Sequence, residues 1–299
     1  MGKRKRKAIP YLFIAPFFIC YAVFSAFPFM FSFAVSFTDW NGVKTPHFVG
    51  LANYIRIFTM DTMAQKSFVN TFIFLIIAIP IQVFLGLLIA VILKDFINGS
   101  KVRGILQLVN FLPYLTSSVA IGLIFQFLFD WDFGTVNQVL TKLGVSFNHI
   151  YWFGMKWSSR FVVVLVIVWR NFGYSMIMLS AGLATISNDL YEAAQLDGAN
   201  WVQSQVRITL PLLKPILGFV CIISLINGFQ LFDEPYMLFA SQAGQPYGGP
   251  GNSVLTVMMT MFQASFRNFQ MGYGAAVAYA LFIVIFIFSI VQNRIIKGD

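Results

Sequence analysis

Six apolar runs, each near or above the twenty residues that cross a bilayer, constrain this 299-residue chain more than any other feature. They extend from Ile9 to Phe37, Phe68 to Leu93, Ile105 to Phe129, Ser159 to Leu183, Leu212 to Asp233 and Met271 to Gln292. In lipid, a segment of this kind satisfies its backbone N–H and C=O groups by forming a helix. The composition agrees: 58% of residues are hydrophobic and 10% charged, against about 25% charged in an ordinary soluble domain. The expected fold is an all-α integral membrane protein with about six transmembrane helices, read as a single transmembrane domain over residues 1–299. The first run is long for one crossing and contains Pro16 and Pro28, so a kink or tilt is expected there.

Cationic residues concentrate on the cytoplasmic side of membrane proteins, and their distribution here sets an orientation. With the N-terminus inside, the cytoplasmic loops and span ends take Lys3, Arg4, Lys5, Arg6, Lys7, Lys94, Lys101, Arg103, Arg207, Lys214, Arg294 and Lys297. The outer segments take only Lys44, Arg56, Lys66, Lys142, Lys156, Arg160 and Arg267, with Arg170 left inside a span. Both termini are therefore expected in the cytoplasm. The basic N-terminus mimics a secretory signal, but its apolar run is too long and lacks a small-residue cleavage site, so it reads as an uncleaved first span. The net charge of +9 resides in that run and in loop ends, where it meets anionic headgroups, so no nucleic-acid partner is expected.

One segment breaks the apolar pattern. From Glu192 to Pro211 the chain reads EAAQLDGANWVQSQVRITLP. Asp189 precedes Glu192 by three positions, and Asn200 precedes Gln203 by three, each spacing being that of a helix-start box. Two short helices are expected, with Gly198 as the left-handed terminator of the first and Pro211 ending the second. Glu192, Ala193, Ala194, Asp197, Gly198, Ala199, Ile208, Leu210 and Pro211 resemble the EAA loop of bacterial ABC importer permeases. The Asp197-Gly198-Ala199 form is similar to the carbohydrate branch, which includes maltose, arabinose-oligosaccharide and glycerol-phosphate type transporters. Phe48-Val49-Gly50-Leu51 with Asn53-Tyr54, Gly248-Gly249-Pro250 and Met271-Gly272-Tyr273-Gly274-Ala275-Ala276 extend the resemblance over nearly the whole chain.

The resemblance implies an ABC type I importer permease fold in a bacterial cell membrane. It implies a cytoplasmic coupling loop at 187–214 that docks an ATPase through Glu192, Ala193, Ala194, Asp197, Gly198, Ala199 and Pro211. It further implies as partners a second permease subunit, two cytoplasmic ATPase subunits, an extracytoplasmic solute-binding protein and a sugar or oligosaccharide. This chain carries no G-x-x-x-x-G-K-[ST] phosphate loop, so ATP and Mg are expected on the ATPase subunits, with no cofactor bound here. No Ser/His/Asp or Cys/His set converges on one side of the membrane, which argues against an enzyme. Cys20 and Cys221 fall inside spans, and His47 and His149 lie in different outer loops, without metal-ligand spacing. Trp131, Tyr151, Trp152 and Trp157 fit an interfacial aromatic belt.

Polar groups at membrane depth either pair or line a wet path. Asn227 and Gln230, three apart near the end of the fifth run, share a helix face and offer amides to sugar hydroxyls or to a neighbouring helix. Arg170, followed by Asn171, lies mid-span, either as a pore-lining cation or as the partner of Asp233, Glu234 or a carbonyl. Asp233 and Glu234 are placed at the outer end, where water can solvate them. In the third run, Thr116, Ser117 and Ser118 can re-satisfy carbonyls freed by Pro113, or line the pore. In the family this chain resembles, the corresponding part of the fifth helix contributes to the substrate pathway, so the resemblance points to Asn227 and Gln230, and the candidate pathway is Asn227, Gln230, Asn171, Arg170 and Asp233. An ABC permease for a non-sugar solute keeps the same architecture, whereas an ion-coupled secondary transporter would need an intramembrane carboxylate relay that this sequence nearly lacks.

Overall fold

The structure, a computed structural model, describes residues 13–97, 99–145, 149–240 and 247–297. The cationic run Lys3 to Lys7, the start of the first apolar run at Ile9 and the side chain of Lys297 lie outside the described residues. Twelve helices carry the description: α1 (Phe13–Val35), α2 (Ala52–Thr59), α3 (Thr62–Asp95), α4 (Ser100–Leu115), α5 (Ser118–Leu128), α6 (Thr135–Lys142), α7 (Lys156–Leu183), α8 (Asn188–Leu196), α9 (Trp201–Phe229), α10 (Asp233–Ala240), α11 (Val257–Phe262) and α12 (Met271–Lys297). Five of them are long and apolar enough to span a membrane: α1, α3, α7, α9 and α12, the last over Met271–Gln292. The short helices α2, α6, α10 and α11 occupy three of the segments between the apolar runs.

The third apolar run departs from the expected single straight span. It is divided into α4 and α5, bent by 93°. Thr116 and Ser117 are both extended, because Pro113 removes one N–H from the helical ladder and two consecutive residues leave it. Thr116 repairs part of the break: its Oγ1 donates to Leu112 O at 2.9 Å and its N–H to Pro113 O at 3.2 Å. At 16 residues, α4 alone is about 24 Å long, short of the roughly 30 Å hydrocarbon core.

The prolines of the two other interrupted spans are handled differently. In α1 a π-turn covers Ala22–Ala26, and in α9 another covers Gln205–Thr209. Each turn closes on the residue just before a proline, with Phe27 N–H on Ala22 O ahead of Pro28 and Leu210 N–H on Gln205 O ahead of Pro211. The wider turn has already shifted the hydrogen-bond ladder where the ring would strike the preceding carbonyls. Consequently Pro211 does not stop the second helix of the polar segment. That helix runs on into the membrane as α9, a correction to the expectation from sequence.

The internal contacts form two compact units, one comprising residues up to Thr62 with Thr260–Leu281, the other Met63–Met259 with Phe282 onward. In the first, Asn53 donates to Ser36 O and Thr38 O, both at 2.9 Å, and Tyr279 donates to Phe29 O. Gly272 permits a close backbone crossing there, since a Cβ would stand 2.0 Å from Thr38 O. The recurring motifs around Phe48 and Met271 thus serve this unit's own backbone.

In the second unit, α7 is the axis. One buried cluster joins Phe74 and Ala78 of α3, Phe125 of α5, Val163 and Val166 of α7, and Leu238 and Phe239 of α10. Another joins Val83 and Ala90 of α3, Met176 and Leu179 of α7, and Leu213 and Val220 of α9. Lipid is as apolar as leucine, so such helices associate through close packing, and small residues set the approach. A Cβ on Gly173 of α7 would lie 2.1 Å from Asn110 O of α4, and one on Gly86 of α3 would lie 2.7 Å from Ser175 Cβ of α7.

Gly173→Val should therefore force α4 from α7 and destabilise the detergent-solubilised protein by about 1–3 kcal/mol, read as a lowered thermal midpoint. Gly104→Ala, with open space around the new methyl, should leave that midpoint unchanged or raise it; equal effects at both positions would refute the packing assignment.

Candidate functional site

The polar segment forms a knob of two short helices around Gly198. Ser187 caps α8, its side chain accepting from Asp189 N–H at 3.3 Å. The expected box from Asp189 to Glu192 is therefore not formed, because Asp189 already lies in the first helical turn, where its charge favours the helix dipole. The far end matches expectation. Gly198 has a φ of +80°, Gly198 N–H bonds to Gln195 O at 3.0 Å and Ala199 N–H to Ala194 O at 2.9 Å, a complete Schellman terminus. Two residues on, Asn200 and Gln203 form the reciprocal capping box, at 2.9 and 2.8 Å.

Glu192, Ala193, Asp197 and Gly198 are exposed, whereas Ala194 and Ala199 are half-buried. Exposed Pro211 lies a helical turn and more beyond the knob, inside α9. Glu192 and Ala199 border a cavity of about 1100 Å³ between the knob and the ends of α3 and α7; Ala193, Ala194, Asp197 and Gly198 do not line it.

Sequence reasoning missed what holds the knob. Asp95, the last residue of α3, accepts from Trp201 Nε1 at 2.8 Å and from Gln205 Nε2 at 2.9 Å. Lys94 sits 4.0 Å over the ring of Tyr191, whose hydroxyl meets Thr209 Oγ1 at 2.9 Å. The second apolar run ends at Leu93, so Lys94 beyond it serves only as a topology signal in the sequence and Asp95 carries no local signal at all.

The second site lies within the membrane-spanning helices. A cavity of about 460 Å³ is lined by residues of α3, α4, α7 and α9 and by the α9–α10 junction, and all five expected pathway residues border it: Arg170, Asn171, Asn227, Gln230 and Asp233. Gln230 caps the end of α9 rather than continuing its face, since the helix stops at Phe229 instead of Asp233. The chain resumes as α10 at Asp233, and that break opens the wall of the cavity.

Arg170 forms an ion pair with Glu234, the two side chains being 20% and 9% exposed. Glu234 is thus buried and paired rather than solvated, as placement at an outer span end had led us to expect. Asp233 is exposed and accepts from Ser118 Oγ at 3.2 Å. Gln82, Tyr114 and Tyr174 also line the cavity. Gln82 carried the same signal as Asn227, a lone amide in an apolar run, and was overlooked. Asn171 donates to Ile167 O of its own helix at 2.8 Å. In the third run, Gln126 Nε2 donates to Leu238 O at 3.1 Å and ties α5 to α10.

Residues 64–298 match the family of binding-protein-dependent transport system inner membrane components. The chain belongs to this family. The permease is 36% identical to the arabinooligosaccharides transport system permease protein AraP of Bacillus subtilis, over 98% of this chain and 91% of that protein. It is 32% identical to the lactose transport system permease protein LacF of Rhizobium radiobacter, over 94% and 92% of the two chains. The fold is similar to that in a crystal structure of a bacterial ABC transporter involved in the import of the acidic polysaccharide alginate. That match has a TM-score of 0.84 at 19% identity, covering 98% of this chain and 96% of the other.

Replacing Asp95 with Ala removes the shared acceptor of Trp201 and Gln205. The expected cost is about 0.5–1.5 kcal/mol, confined to the knob and read as faster amide exchange at residues 188–209. Exchange rates there equal to those of the unmodified permease would show that Asp95 does not hold it.

Proposed function

We propose that this permease is the transmembrane subunit of an ATP-driven, binding-protein-dependent importer of a sugar or oligosaccharide. The observation that carries the reading is mechanical. α9 is one continuous helix from Trp201 in the knob to Phe229 at the polar cavity, 29 residues and so about 43 Å long. Force applied at the knob therefore reaches Asn227, and Gln230 at its C-cap, along one helix that passes through the π-turn at Gln205–Thr209.

The knob's construction suits docking. Two capped helix ends fix its shape, and Glu192, Ala193, Asp197 and Gly198 present an exposed surface. The reading places a cytoplasmic ATPase there, one of two, with ATP and Mg bound by those subunits and none by this chain. It also places both termini in the cytoplasm, pairs the chain with a second permease subunit and supplies solute from an extracytoplasmic binding protein. ATP-driven movement of the ATPases would rock α9 and the helices packed on it, switching the cavity between the two sides of the bacterial cell membrane. The chain then contributes the path and the lever, and no catalysis.

The cavity's chemistry suits a carbohydrate. Gln82, Asn171, Asn227 and Gln230 present amide donors and acceptors, and Tyr114 stacks on Tyr174 with centroids 5.2 Å apart, offering an aromatic wall to the apolar face of a sugar ring. The names of the relatives point the same way.

Gly198→Pro tests the docking role, because proline cannot adopt φ of +80°, while open space around Gly198 leaves the membrane helices undisturbed. In an assembled transporter we expect solute uptake to fall at least tenfold, with vanadate-sensitive ATP hydrolysis no longer driving it. Undiminished uptake by a fully assembled Gly198→Pro transporter would sink this reading.

A further inference from the structure

The fold does not determine the charge of the solute, since a structure with the same fold belongs to an importer of an acidic polysaccharide. The cavity bordered by Arg170 and Gln230 is more informative. Among the described residues lining it, those charged at neutral pH are Arg170, Glu234 and Asp233. The first two neutralise each other in their ion pair, which leaves the carboxylate of Asp233 as the uncompensated charge among the described residues lining the cavity.

We infer that this permease passes neutral oligosaccharides and rejects those carrying uronate carboxylates, and that the Arg170–Glu234 pair sets this preference. The inference rests on the sugar reading of the same cavity. A uronate entering it would lose hydration and meet the like charge of Asp233 in a medium of reduced dielectric. Arg170 meets Glu234 through Nη1 and its Nε has no hydrogen-bond partner among the described residues, yet its single positive charge is already matched by Glu234, whose side chain is 9% exposed, so a uronate taken there would set three carboxylates against one guanidinium.

A neutral ring has no such conflict. Gln82 is 4% exposed, lines the cavity, and its Oε1 has no hydrogen-bond partner among the described residues. A buried acceptor of that kind favours a ligand that donates, as a hydroxyl does. Asn171, Asn227 and Gln230 add further amide sites around the same space. The pocket is therefore polar without offering a free cation.

The test uses matched ligands: neutral glucose, xylose and arabinose pentasaccharides, and the glucose and arabinose chains after oxidation of their primary alcohols to carboxylates. Their equilibrium binding to the assembled transporter in detergent, without its solute-binding protein, is measured by dialysis of labelled sugar. At least one neutral chain should bind, with its oxidised form, or the other oxidised chain if it is xylan, at least tenfold weaker. Glu234→Gln, which frees the charge of Arg170, should bring oxidised and neutral chains within about threefold. Should that variant misassemble, Asp233→Asn leaves the ion pair intact, removes the uncompensated charge and should also narrow the difference. Oxidised chains binding as tightly as neutral ones to the unmodified transporter would overturn the charge preference and leave the sugar reading standing. Binding of neither class would overturn the sugar reading itself.

Discussion

Lipid offers no hydrogen bonds, so each backbone N–H and C=O in a span has to be answered within its own helix or by a neighbour. In the Met63–Met259 unit, three interruptions of the helical ladder lie beside the cavity or the knob. The α4–α5 break at Thr116 and Ser117 carries Tyr114 and Ser118 to the cavity and to Asp233. The α9–α10 break at Gln230 opens the cavity wall. The π-turn at Gln205–Thr209 lies where the knob passes into the membrane. Elsewhere in the Met63–Met259 unit, α3 and α7 run unbroken and supply the packed surfaces.

The Arg170–Glu234 pair links the α9–α10 junction to α7 across one of those breaks. Neither charge would be tolerated alone at that depth. Paired, they fix where α10 begins and cancel each other's field, so the cavity is bounded by amides and one acidic group instead of a free arginine. The knob obeys comparable logic at the other end of α9. Its own caps satisfy its helix ends, and Asp95 answers the two side chains that lean on α3.

Much of this was legible in the sequence, because the dominant signals are local. Run length marks the spans, the Asn200–Gln203 spacing marks a capping box, and a glycine after a short polar helix marks a left-handed terminus. The five candidate pathway residues were picked out as polar groups in or beside a span, with the family resemblance deciding for Asn227 and Gln230, and the structure gathers all five around one cavity. What escaped is non-local or hidden by compensation. The apolar run from Ile105 to Phe129 is continuous in hydropathy, and although Pro113 marks carbonyls that Thr116 can answer, it does not announce that the chain turns through 93° there. The sequence leaves Arg170 three possible partners, Asp233, Glu234 or a carbonyl, and the choice of Glu234, 64 residues away on another helix, is fixed only by the fold. Pro211 was read as a stop because a π-turn one residue earlier cannot be seen in composition. The role of Asp95 exists only once α9 folds back against α3.

The central claim is that the capped knob around Gly198 receives an ATPase from the cytoplasm and passes its motion along α9. Site-specific cross-linking tests this most directly. With Ala193→Cys in an otherwise cysteine-free chain, a short bifunctional reagent should give one covalent adduct with an ATPase subunit in intact membranes, and ATP with vanadate should change its yield. Modification of that cysteine by an impermeant reagent added from outside sealed cells, with no ATPase adduct, would contradict the account.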